Sequence, residues 1–316
     1  MPGLGEDAQL PSACGVAAAA PRPSPVEGDR LAGQNGRWGR WAGRTGRRLI
    51  NALPAGVWRH AGPAGAWVAI VTFHRIASVP EDGLSFPPSR FRELCAYWRS
   101  EYEVLPLAAL FQALPPPRAR RLIVTFDDGY ADNAEVAAPI LQRFGLPATF
   151  FLATAYMDAA DGHGFPWDQG YSPPPRVMSW RQAAELARAG FALGSHTCHH
   201  VRLAKCSPER VIVELQRSRQ QIQTQLGQPA PDFAYPYGGP ADCGDADRAR
   251  VRAAGYRSCL GCHGGLAQAG GDPYRLRRIA VNPRDYLTPS AWERQFRQWL
   301  AHARREAPAA AALATA

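Results

Sequence analysis

Two short stretches of this chain hold side chains that could share a cation. Thr125-Phe126-Asp127-Asp128-Gly129-Tyr130 ends the apolar run 121–126 in two carboxylates, and Ser195-His196-Thr197-Cys198-His199-His200 closes a second apolar run with imidazoles. Successive side chains of a strand point to opposite faces, so neighbouring aspartates serve one pocket only where the strand ends and the chain turns. Gly129 supplies that turn. Asp128, His196 and His200 form a mixed oxygen and nitrogen set suited to zinc or a similar divalent ion, with a coordination position left open for water. Asp127 is then left over as a base. His199 and Cys198 read as solvated neighbours. Each half alone has a blander reading, since aspartate pairs cap helices or bind magnesium and histidines four apart arise by chance. It is the two together, each after a strand and before a helix-like segment, that point to metal chemistry.

Those elements can be read in outline. Strand-like runs at 67–73, 122–126, 148–152, 191–194, 232–235 and 278–281 alternate with helical patterns, which argues for an α/β fold with a parallel sheet. A helix over 180–189 has Ser179 as its cap and Gly190 past its end. Another over 208–226 has Ser207, then Pro208 in its first turn, and Gly227 as its stop. At 316 residues, 46% of them apolar, the chain can bury one large core, and a barrel of ~250 residues fits as one domain. Periodicity alone leaves a barrel and an open doubly wound sheet equally open. No internal repeat is visible.

The chain resembles the polysaccharide deacetylase family, the carbohydrate esterases built on the NodB homology domain, over residues 66–301. Besides the two stretches above, the resemblance is carried by Val71-Thr72-Phe73-His74-Arg75-Ile76, Gly145-Leu146-Pro147-Ala148-Thr149-Phe150-Phe151, Met178-Ser179-Trp180, Gly190-Phe191-Ala192-Leu193-Gly194 and Phe233-Ala234-Tyr235-Pro236-Tyr237-Gly238. It implies a distorted, incomplete (β/α) barrel with its catalytic groups at the carboxyl ends of the strands. It also implies Asp127 as general base, Asp128, His196 and His200 as ligands of a divalent metal, zinc first among them, and removal of N-acetyl groups from a glycan or glycolipid. Two blocks common in the family, Arg-x-Pro-Tyr and a late Leu-x-His, are absent in that form, and after His263 only His302 remains. A subgroup resembling the poly-β-1,6-N-acetylglucosamine deacetylases carries its acid histidine early, after the first strand, and His74 fits that pattern. By the same resemblance the backbone amide of Tyr237 holds the oxyanion, and Trp167 and Asp168, in the loop 161–175, line the sugar groove. Hydrolysis of O-acetyl esters or of a non-carbohydrate amide on the same site, and a glycan-binding relic without turnover, are the competing readings.

Composition bounds the rest. Residues 1–65 are rich in Ala, Gly, Pro and Arg, and 37–60 hold six arginines and no acid, interleaved with Trp38, Trp41 and Trp58. This reads as an arm outside the catalytic domain, a candidate for weak contact with membrane or anionic glycan, and residues 302–316 read as an Ala-rich tail. The net charge of +9 is almost wholly arginine, with Lys205 the sole lysine, and no motif supports nucleic-acid binding. No run is long and apolar enough to span a bilayer and no export signal is evident, so a cytoplasmic location is the default expectation. Seven scattered cysteines do not read as a disulfide framework. Cys259-Leu260-Gly261-Cys262-His263 fits a haem-attachment pattern, but it lies where the family runs a strand into a Gly-Gly turn, and a haem is not expected.

Overall fold

A computed structural model describes residues 67–78, 83–114, 120–157, 164–168 and 170–313, with side chains as far as residue 303. The Arg- and Trp-bearing arm expected over 1–65 lies outside the described residues. Strand β1 (Trp67–Phe73) leads through α1 (Pro88–Glu101) and β2 (Tyr102–Val104) to β3 (Arg120–Phe126). The chain continues as α2 (Ala138–Phe144), β4 (Thr149–Leu152), α3 (Trp180–Arg188), β5 (Ala192–Ser195), α4 (Pro208–Leu226), β6 (Asp232–Ala234), α5 (Asp245–Ala253) and β7 (Ser258–Gly261). Short strands β8 (Ala267–Gln268), β9 (Leu276–Arg277) and β10 (Ile279–Ala280) precede α6 (Pro283–Tyr286) and the long α7 (Pro289–Leu313).

The strands hydrogen-bond in the order β10-β1-β3-β4-β5-β6-β7-β9, with β2 beside β3 and β8 antiparallel to β1. The path nearly closes on itself. Leu276–Arg277 runs beside β7 and Ile279–Ala280 beside β1, so one segment touches both ends of the sheet and only Arg278 separates its halves. This is the incomplete (β/α) barrel that the family resemblance implies, and not the open doubly wound sheet that periodicity left equally open. The expected strand over 278–281 is corrected: it is two short strands broken at Arg278, because neither neighbour alone pairs with the whole segment.

Both faces of the parallel strands are buried, which is why β1 and β3 read as continuous apolar runs rather than alternating ones. Alternation sorts their side chains all the same. Val71, Phe73, Leu122, Val124, Phe126, Phe150 and Leu193 join the cluster beneath the helices, where Phe126 stacks between Phe73 and Phe150. Val68, Ile70, Ile123, Phe151, Ala234, Leu260 and Leu276 form a separate cluster inside the barrel. Gly194 faces the interior with no side chain, since a Cβ there would lie 2.5 Å from the Phe151 ring.

The helix boundaries follow their caps. Ser179 accepts from the Gln182 amide and closes a capping box on α3; Ser207 caps α4, and Gly227 ends it at φ 66°, a conformation glycine adopts without penalty. Helix α7 runs without a break through residue 302, where the tail was expected to begin, and Ala303 is buried in the main cluster.

Candidate metal centre and buried base

Counting by twos from the interior residues places the chemistry. From Ile70 the interior series reaches His74, from Ile123 it reaches Asp127, and from Leu276 it reaches Arg278, each at or just past a strand end. The Asp127 amide still bonds Phe73 O at 2.9 Å, holding β3 in register with β1, and the chain then turns. Asp128 takes the left-handed conformation at φ 72° and Gly129 follows at φ 90°. A non-glycine residue in that region carries strain of roughly 1–3 kcal/mol. The turn brings Asp128 round to the same mouth of the barrel as Asp127.

His196 follows β5 directly, and His200 lies a tight turn later, with Thr197 (φ 63°) and His200 (φ 53°) both left-handed. Asp128 Oδ1 lies 3.4 Å from His196 Nε2 and 3.2 Å from His200 Nε2. The three ligand atoms all fall within 4.8 Å of one another. The donor chemistry fits a cation. His196 Nδ1 is 2.8 Å from the Ala234 carbonyl, which can only accept, so Nδ1 carries the proton and Nε2 turns a lone pair toward Asp128. Asp128 Oδ1 is buried and receives no hydrogen bond. Burial pushes the His200 imidazole down, toward the neutral form that can act as a ligand. Lone pairs converging in a buried space are what a divalent ion requires.

Asp127 is not the free base the sequence suggests. Arg278 grips it through two bonds, Nη1 to Oδ1 and Nη2 to Oδ2, each 2.7 Å, with both residues almost wholly buried. Arg278 also donates to Thr72 Oγ1, Thr125 Oγ1 and the Gly261 carbonyl. Burial alone would raise the Asp127 carboxyl; the Arg278 guanidinium, with His196 and His74 in reach, brings it below the ordinary value. Sequence reasoning gave Arg278 no role beyond opening the expected strand 278–281, because an arginine among Arg275 and Arg277 carries no mark of burial. The available signal was parity with Leu276.

His74 is half-buried at the end of β1. Its loop is pinned from the β3–α2 connection: Asn133 Nδ2 donates to His74 O at 2.8 Å, and Asp132 accepts from the Ile76 amide at 3.0 Å and from Arg75 Nε at 3.2 Å. By the alternation of β1 its side chain is directed to the same mouth as Asp127.

Residues 115–258 match the polysaccharide deacetylase family. Over that stretch the chain carries the sequence pattern of the polysaccharide deacetylases. The chain is 26% identical to the Bacillus subtilis protein YxkH over 167 residues, 53% of each chain. It is 25% identical to a poly-β-1,6-N-acetyl-D-glucosamine N-deacetylase of Staphylococcus aureus over 128 residues, covering 38% of this chain and 41% of the relative. It therefore spans about half the length, or less, of these curated relatives. The fold of IcaB from Ammonifex degensii superposes with a TM-score of 0.59 at 22% identity, over 75% of this chain and 97% of that one. The matched stretch holds Asp127, Asp128, His196, His200 and Tyr237, whereas His74 and Arg278 lie on either side of it.

The rim of the mouth is aromatic. Trp167 stacks on Phe165 at 4.6 Å and 4°, and its ring centre lies 4.5 Å from that of His200. Tyr237, at φ 64° and 37% exposed, lies 5.2 Å from His200 on another side and carries the Arg202 guanidinium over its ring at 4.1 Å. Arg202 is itself fixed by Asp242 at 2.9 Å.

The expectation that Asp168 lines the open groove is corrected. It is 2% exposed and lies behind the wall, accepting from Tyr130 Oη at 3.2 Å, while Trp167 Nε1 donates to the same hydroxyl at 3.1 Å. Burial pushes its carboxyl up to about 6. A carboxyl raised above its unfolded value costs stability once ionised, a cost absent below about pH 4 and complete above the folded value. Asp168→Asn should therefore stabilise the fold at pH 8 by on the order of 1 kcal/mol and leave it unchanged near pH 4. Thermal unfolding across that range reads the difference, and a gain that does not grow with pH would contradict the assignment.

Proposed function

We propose that this chain is a metal-dependent hydrolase that removes N-acetyl groups from an N-acetylated carbohydrate. The observation that carries the reading is the buried convergence of the Asp128, His196 and His200 lone pairs beside a carboxylate held ionised by Arg278. A divalent ion bound by those three ligands would polarise the acetyl carbonyl and make water acidic near neutral pH.

The chain's own groups do the rest. Asp127 uses one lone pair on each oxygen for Arg278 and keeps others to accept the proton of the attacking water. The Tyr237 amide N–H is assigned to the oxyanion, a donor of a kind commonly worth about 3 kcal/mol. His74 gives its proton to the amine nitrogen as the carbon–nitrogen bond breaks, releasing acetate and the free amino sugar. Trp167 offers an apolar face for a sugar ring, and Asp168 holds Trp167 in place through Tyr130. Among the described residues no helix is long and apolar enough to cross a membrane.

Acetate release from N-acetylglucosamine oligomers against acetylated xylan tests the substrate class; release from xylan alone would replace the amide reading with O-acetyl ester hydrolysis. His74→Ala tests the acid. An amine is a poor leaving group without a proton and an activated phenol is not, so the variant should lose about 10²–10⁴-fold on the amide and much less on an acetyl ester of nitrophenol. Equal losses on both would remove His74 from the role.

A further inference from the structure

We infer that a polar stripe on α4, made of Glu214, Ser218 and Gln221, is a clamp that presets His196 and His200 for their cation, with Glu214 as its chief positioning residue. The inference rests on the proposed metal reading of Asp128, His196 and His200 and concerns what holds two of those ligands in place. The three stripe residues recur at spacings of four and three, so they share one helical face. That face is turned inward: Glu214 is 1% exposed and Ser218 is fully buried, beside the apolar Val211, Leu215 and Ile222. A buried carboxylate in such a position is costly unless it is saturated with donors.

Glu214 is so saturated, and nearly all its bonds go to the turn between the two histidines. Oε2 accepts from the backbone amides of Cys198 at 3.0 Å and His199 at 2.9 Å. Oε1 faces His199 Nδ1 at 2.8 Å and Arg210 Nη2 at 2.6 Å. Cys198, His199 and Glu214 are close enough to suggest a second cation site. With three N–H donors and the His199 ring nitrogen already on its two oxygens, the Glu214 carboxylate serves instead as an anchor.

The rest of the stripe completes the grip. Ser218 Oγ lies 2.8 Å from Ser195 Oγ, which in turn accepts from the Thr197 amide at 3.3 Å. Gln221 Oε1 accepts from Thr154 Oγ1 at 2.7 Å and from Cys198 Sγ at 3.0 Å. From the turn after β4 the Thr154 and Ala155 amides donate to the carbonyls of Thr197 and Cys198 at 3.2 and 2.9 Å. Thr197 and His200 are both left-handed without being glycine, a conformation that persists only where the surroundings over-determine it. The clamp supplies that constraint. Without it the turn can relax, and the two imidazoles no longer meet Asp128 at one point.

Zinc affinity of the full chain, measured by competition with a chromophoric chelator, tests this directly. Glu214→Gln keeps the side chain's size but turns an N–H₂ toward N–H donors, and should weaken zinc binding by about 10–100-fold, the usual cost of removing a partner behind a metal ligand. Val251→Ala, which opens a cavity in the cluster beneath α4 away from the turn, is the comparison: it should lower thermal stability and leave the zinc Kd within about twofold. If Glu214→Gln does not fold, Gln221→Leu carries the test, with a several-fold weakening expected. Wild-type affinity in the folded Glu214→Gln or Gln221→Leu variant overturns the inference, as does an equal loss in Val251→Ala. A wild-type chain that binds no zinc overturns the metal reading itself.

Discussion

Asp127→Asn is expected to lower amide turnover by about 10²–10⁴-fold while zinc still binds, because it removes the proton acceptor and leaves the three ligands untouched. The substitution also strips the buried Arg278 of its counter-charge. Breaking one side of a buried ion pair costs about 3–5 kcal/mol, so a loss of activity in this variant alone could reflect a loosened fold. Asp127→Asn combined with Arg278→Met removes both charges together, and such paired replacements are often neutral or better. The double variant should regain most of the thermal stability and none of the turnover. Acetate release and thermal unfolding on the three proteins separate the two effects; a double variant with wild-type rates would mean that the proton goes elsewhere.

Arg278→Gln should move the acid limb of kcat/KM to higher pH. The base works only when ionised, so activity falls as pH drops through the Asp127 value. In the native chain the guanidinium holds that value below the ordinary carboxylate range against burial, which pushes the other way. With the guanidinium gone, burial is unopposed and the Asp127 carboxyl rises, so the limb climbs toward neutrality and the variant loses most where the native protein still works. Gln retains hydrogen-bonding groups toward Thr72, Thr125 and Gly261, which limits the structural loss. A pH profile whose acid limb does not move, at whatever reduced height, would show that Arg278 only packs against Asp127 and does not set its ionisation.

Much of this arrangement was legible in the chain. The strand over 67–73 and the helix over 208–226 have the bounds expected of them, since an apolar run ends one and serine, proline and glycine punctuate the other. The convergence of Asp128, His196 and His200 was legible because Asp128 and His196 each follow a strand at the same end of a parallel sheet, with His200 a short turn later. What escaped was polar chemistry hidden among residues that usually face water. Arg278 entered the sequence reading only as the first residue of an expected strand, and Glu214, Ser218 and Gln221 only as part of an expected helix, although the apolar residues of α4 leave them on its inner face. Asp168 was placed on the groove because a loop's composition does not say which of its side chains turn inward; Tyr130 decides that, and it lies far away in sequence.

The most direct test of the central claim is acetate release from N-acetylglucosamine oligomers by the chelated chain, before and after zinc is returned. Asp128, His196 and His200 as the ligands of one ion require that the chelated protein stay folded and inactive, and that zinc at one equivalent restore the rate. A chelated chain that releases acetate at the native rate would contradict the account.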